Sequence, residues 1–416
     1  MTALRLADDR AALQRRTLVT LRLAQVPSQA AVAGMVAVVA LLVNELLDSD
    51  RLAGTGGAAF TFGSAMVSVP LSAYMRRHGR RPGLVRAWTA ASLGALLAGL
   101  GGQLDSFAVF IVGMLVFGSG QAAALQARFV AADLSTDHDR AQAIGSVVWV
   151  GTLGAAFGPV LTPWERRLAD AAGLEPLVGP FLFAALFFAI SGACVAVRLK
   201  PDPLQIAGGV DPHAPRIRPI HQVRTAATIV RGLPMAQLGL ASMVISQTAM
   251  VAVMTMTPPH MKDHDHSDLS AYVIALHIVG MYGFAPFVGR AVERIGRQAS
   301  IMVGSVVLGA GTAISVALGY SPVLIFFGLF LLGVGWSFGL VAGSTLLIEA
   351  VPTESRVEVQ GAGDLLMSLC GGAAAFSSGF VKQSFGYPTL AYAGTLLAAV
   401  LLLYTMASRP ALARAA

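Results

Sequence analysis

Apolar runs of about 20 residues recur along this chain, and no other feature limits its fold as strongly. As a helix, a run of that length can cross the hydrocarbon core of a bilayer. Twelve such segments lie near 23–47, 52–75, 84–104, 107–132, 141–163, 177–198, 234–258, 268–289, 299–318, 321–348, 358–381 and 386–407. A water-soluble fold could not hide them. Of the 416 residues, 55% are hydrophobic and only 12% are charged, against about 25% charged in soluble domains. The sequence predicts an all-α polytopic membrane protein with 12 transmembrane helices. One gap is long and polar, Lys200–Arg231. It divides the chain into a first six-helix half with a basic head (1–199), a linker (200–232) and a second six-helix half (233–416).

The net charge of +7 would suggest nucleic acid on a soluble domain, but the basic residues follow the loops instead. With an even helix count both termini share one side. That side holds all the Lys and Arg except Arg51, Arg166, Arg167, Lys262 and Lys382. By the positive-inside tendency it is cytoplasmic. The expected place is therefore the inner membrane of a bacterium, with the lipid bilayer as partner, no nucleic acid and a monomeric assembly. The first apolar run is too long for a cleaved signal peptide and is expected to be retained. Cys194 and Cys370 each sit in an apolar segment and form no C-x-x-C motif.

The halves repeat. Gly79-Arg80-Arg81 corresponds to Gly296-Arg297-Gln298 at an offset of 217, and Arg140 to Arg356 at 216. The stretches Ser72–Arg81 (SAYMRRHGRR) and Gly289–Gln298 (GRAVERIGRQ) resemble the loop signature of the major facilitator superfamily. That resemblance implies two tandem halves rocking about a central site. The second copy carries the acid of the signature as Glu293. The first departs from it, with Ser72 in place of Gly and Arg76 in place of the acid. In the superfamily that acid secures the loop near the start of the eleventh helix, a region that here carries Asp364. The expected arrangement has reversed polarity, with Arg76 facing Asp364 and Glu293 near Arg140, the two contacts forming a cytoplasmic latch.

Met250–Met281 carries the most distinctive chemistry. Met250 and Met254 form M-x-x-x-M, and His277 and Met281 form H-x-x-x-M. Residues four apart share one helix face, and thioether and imidazole ligands suit copper. Packing explains a lone Met pair equally well, whereas an ionisable group inside a membrane segment is usually functional. The pairs resemble those of the CcoA-like transporters, bacterial copper importers of the same superfamily. The resemblance implies that Met250, Met254, His277 and Met281 bind the metal. The expected function is a copper importer working by alternating access, with copper as transported substrate, no resident cofactor and no enzymatic activity. Whether a copper chaperone delivers the metal stays open. The polar run between the pairs supplies His260, Met261, His264 and His266 as an outer capture site. The competing expectation is a proton-coupled multidrug or metabolite exporter, because Gly154–Pro159 (GAAFGP) resembles an element of the antiporter branch. Nucleophile elbows, phosphate loops and H-E-x-x-H motifs are missing from the sequence.

Overall fold

The computed structural model describes residues 3–48, 52, 54–214, 218–266, 269–316 and 320–412, and every regular element among them is helical. Arg51 of the basic tally lies outside them. The principal helices are α1 (Ala3–Leu47), α2 (Thr55–His78), α3 (Arg80–Gln103), α4 (Phe107–Val130), α5 (Arg140–Ala171) and α6 (Gly179–Arg198), then α7 (Pro234–Met254), α8, α9 (Arg297–Ile314), α10 (Pro322–Ala350), α11 (Thr353–Phe385) and α12 (Tyr387–Leu412). Among the described residues ten helices are long and apolar enough to cross a membrane, and α8 completes an eleventh as a bent pair. It consists of Ser270–Ile278, a π-helical turn Val279–Gly283, and Ala285–Ile295, with a bend of 40°. Pro286, which cannot donate to the helix ladder, stands just after the bend. A separate linker helix spans Pro219–Arg231.

The basic head is one helix with the first apolar segment rather than a separate element. The third and ninth helices start at Arg80 and Arg297, earlier than hydropathy alone indicates. In both places one glycine joins two helices, Gly79 at φ 99° and Gly296 at φ 87°. A residue with a Cβ is strained there, which fixes glycine at the same point of both repeats.

The chain forms two compact units that divide inside the linker, after Arg224, and exchange two further segments. The first unit is Met1–Thr136, Val150–Arg224 and Thr353–Ser368. The second is Asp137–Trp149, Thr225–Pro352 and Leu369–Ala416. The first stretch of α5 thus belongs with the second half of the sequence, and the first stretch of α11 with the first half. Ion pairs at those two helix starts, described below, account for the exchange.

Within each unit one glycine-rich helix sits among the others. In the second unit α10 turns Gly339 and Gly343 toward α7, Gly333 toward the His277–Met281 backbone of α8, and Gly328 and Gly335 toward α9. In the first unit α4 turns Gly118 toward α2, Gly113 toward α3 and Gly120 toward Phe188 of α6. Between membrane helices the solvent gives no hydrophobic drive, so close backbone approach through small residues supplies the dispersion energy.

Candidate functional site

Two polar clusters stand out, one in each unit. In the first, Arg80 is completely buried and grips Asp133 through two bonds, Nε to Oδ2 at 2.9 Å and Nη2 to Oδ1 at 3.1 Å. Burial pushes the Asp133 carboxyl up, against the opposing pull of Arg80. Arg80 also donates to Gln126 (3.1 Å) and Gln360 (2.8 Å). Gln126 donates to Asp364 at 2.9 Å, and Arg128 pairs with the other Asp364 oxygen at 2.5 Å. Arg128 and Asp364 are 2% and 0% exposed, so each charge depends on the other for its solvation. Arg76 pairs with Glu358.

This corrects the expected pairing of Arg76 with Asp364. Asp364 lies six residues beyond Glu358, about 9 Å deeper along the helix, and at that depth α4 supplies Arg128. In the second unit Glu293 lies at the start of α5, as expected, but is not the ion-pair partner of Arg140. Arg140 pairs with Asp137 (2.7 Å) and Glu349 (3.3 Å), not with Glu293. Glu293 instead accepts the Gln142 backbone N–H at 2.9 Å. A carboxylate there meets the unsatisfied N–H groups of the first turn of α5. Arg297 grips Glu349 from 2.8 to 3.2 Å, repeating the Arg80–Asp133 fork.

In the second unit the central cluster consists of Gln247, Tyr282 and Trp336, each near the middle of its helix. Trp336 donates Nε1–H to the Gln247 side-chain oxygen at 2.7 Å, and Tyr282 packs edge-on against the Trp336 ring at 5.5 Å. Gly371 of α11 faces the Gln247 amide, which a methyl group would crowd to 3.2 Å. The sequence reading missed all three residues. Their detectable signal is a polar or amphipathic side chain at the midpoint of an apolar run.

The four expected metal ligands lie in the same unit. Met250 is 3% exposed and follows Gly239, Met243 and Ser246 on the face of α7 turned to α10. Met281 is buried on the π-helical turn. His277 is completely buried, with Nδ1 donating to the Leu329 carbonyl of α10 at 2.7 Å. Its Nε2 has no hydrogen-bond partner. The seventh and eighth helices both pack mainly on α10, whose glycines admit them. They meet near their far ends, where the short helix Thr257–Lys262 touches the start of α8.

The expected outer loop is partly this short helix, begun by Pro258 and Pro259 at positions where proline is well suited. Met261 is completely buried, not open at a mouth. His260 stacks on Tyr387 at 4.1 Å, and His264 on Tyr320 at 4.0 Å, around a cavity of about 360 Å³. His264 and His266 turn Nδ1 to backbone carbonyls, at 2.9 and 2.6 Å. Lys382 donates to Asp263 at 2.5 Å and holds that carboxyl below its usual range. Among the described residues no three of His, Cys, Asp and Glu are grouped to hold a metal ion. A copper site would need the Met sulfurs to join His277.

The profile of the Major Facilitator Superfamily matches residues 23–375 and 239–415. A Bacillus subtilis protein named "Uncharacterized MFS-type transporter YddS" is 34% identical over 94% of this chain and 90% of its own length. The riboflavin transporter RfnT of Brucella anthropi is 29% identical, covering 90% of this chain and 91% of that one. Among solved structures, the human organic anion transporter MFSD10 (TETRAN) superposes with a TM-score of 0.77 at 17% identity, over 94% of this chain and 99% of that one.

Proposed function

This chain belongs to the major facilitator superfamily and is a multi-pass membrane transporter, a premise from which we propose that it carries a small organic solute with a flat unsaturated ring. The bilayer is the inner membrane of a bacterium, with both termini and the basic loops cytoplasmic. The observation that carries the substrate class is the Gln247–Tyr282–Trp336 cluster at mid-helix. Carriers of this type bind substrate near the bilayer midplane. An indole and a phenol offer ring faces and edges for stacking, and a carboxamide offers both a donor and an acceptor to a heterocycle's edge. Similarity to a riboflavin transporter over most of both chains supports the same class.

Riboflavin uptake into proteoliposomes is the direct test. Loss of a stacking ring costs about 1–3 kcal/mol, so Trp336→Ala is expected to raise the half-saturation concentration about tenfold or more, and Trp336→Phe much less. Equal uptake by protein-free vesicles rejects riboflavin, and an unaltered Trp336→Ala rejects the cluster as the site.

Copper import is the second reading, favoured by His277. With Nδ1–H committed to a carbonyl, its Nε2 is buried and unpaired, an arrangement common to histidines that bind metals. Met250, Met254 and Met281 would complete the ligand set. Radioactive copper uptake that disappears in His277→Ala, in a protein that leaves riboflavin outside, establishes this reading over the first.

A further inference from the structure

The basic ends of α2 and α3 enclose a cavity of about 540 Å³. Its walls carry Arg77, His78 and Arg86, and the start of the linker helix, Pro219 and Gln222, borders it. Glu358, the acid in its wall, is taken by Arg76, which also lies 3.9 Å from Asp211. Among the described residues no carboxylate pairs with Arg77 or Arg86. Arg77 reaches the Pro212 carbonyl at 3.5 Å through Nη2, while its Nε is buried without a hydrogen-bond partner. Arg86 lies over the Tyr74 ring at 4.0 Å, and Tyr74 stacks on His78 at 4.2 Å.

The surface leading to this cavity is apolar and exposed. On α3 the exposed stripe runs Leu100, Leu96, Leu93 and ends at Arg86. On α2 it runs Phe62, Met66, Pro70 and ends at Arg77. Residues three or four apart share a helix face, so each stripe changes from hydrocarbon-like to cationic toward the Gly79 junction. An acyl chain along the stripes and a phosphate between the two arginines would match that change. Guanidinium forks bind phosphate oxygens through paired charge-assisted hydrogen bonds. The linker helix has basic residues and apolar ones on opposite faces, as helices lying in a headgroup layer do.

We propose that this cavity binds the phosphate of an acidic phospholipid of the leaflet on the basic side, with Arg77 and Arg86 as its ligands and Tyr74 fixing the Arg86 guanidinium. The phospholipid rather than a soluble phosphate is favoured by the apolar stripes that run into the site.

Native mass spectrometry of the full-length protein, released from membranes containing phosphatidylglycerol and phosphatidylcholine, tests this. The wild type is expected to retain phosphatidylglycerol selectively. Arg77→Gln with Arg86→Gln is expected to reduce retention about tenfold or more, and Arg166→Gln with Arg167→Gln, at the other helix ends, to leave it unchanged. Arg86→Gln alone, at an exposed position, gives the same direction should the double variant fold poorly, and Arg86→Lys retains part of the binding. Retention that is indifferent to these substitutions, or equal for phosphatidylcholine, overturns the proposal. Displacement of the lipid by inorganic phosphate also overturns it, because the site then serves a soluble anion.

Discussion

Arg128→Ala is expected to lower stability by about 3–5 kcal/mol, the cost of leaving one charge of a buried pair alone. Asp364 would keep Gln126 as a donor but lose the guanidinium paired with it at 2.5 Å, in surroundings where water cannot replace it. The measurement is thermal unfolding in detergent, with delivery to the membrane as a second readout. Charge exchange identifies the partner. Arg128→Asp combined with Asp364→Arg is expected to recover much of what either single change loses. Arg76→Asp combined with Asp364→Arg is not, because Arg76 is engaged by Glu358. Recovery in the second combination and none in the first would refute the assignment. Arg76→Glu with Glu358→Arg is the matching exchange for the shallower pair.

The second large effect is steric. Gly63→Ala is expected to destabilise by about 1–3 kcal/mol or more, because its Cβ would be driven into the Leu115 carbonyl of α4. The obstruction is backbone, so no side-chain rotation can relieve it. Gly118 meets the same stretch of α2 from the other side, so the two glycines let the helices approach closely. Gly57, less than two turns away on α2, has open space among the described residues where a Cβ would stand. Gly57→Ala is therefore expected to be neutral or to stabilise by about 0.5–1 kcal/mol, through its effect on the unfolded chain. Equal unfolding midpoints for the two variants would show that the α2–α4 approach is not close.

The sequence alone determined the all-helical class, the order of the apolar helices, the internal repeat and the superfamily, because these rest on properties local to the chain. Hydropathy is a sum over about 20 neighbouring residues, and the Gly79 and Gly296 junctions follow from one residue's backbone freedom. Asp364 was recognisable as a carboxylate in an apolar run, needing a partner. Which partner it takes was not, since Arg76 and Arg128 differ in depth, and depth depends on how α2, α4 and the start of α11 pack. The same limit applies to Glu293, which has a backbone N–H rather than Arg140 as its partner. It applies to the histidines at 260 and 264 too, whose stacking tyrosines lie 127 and 56 residues away in the chain. Gln247 and Trp336 are 89 residues apart and meet because the glycines of α10 allow α7 close to it. Pairing across such separations is decided by the shape of the packed interior, a property that no local window of sequence contains.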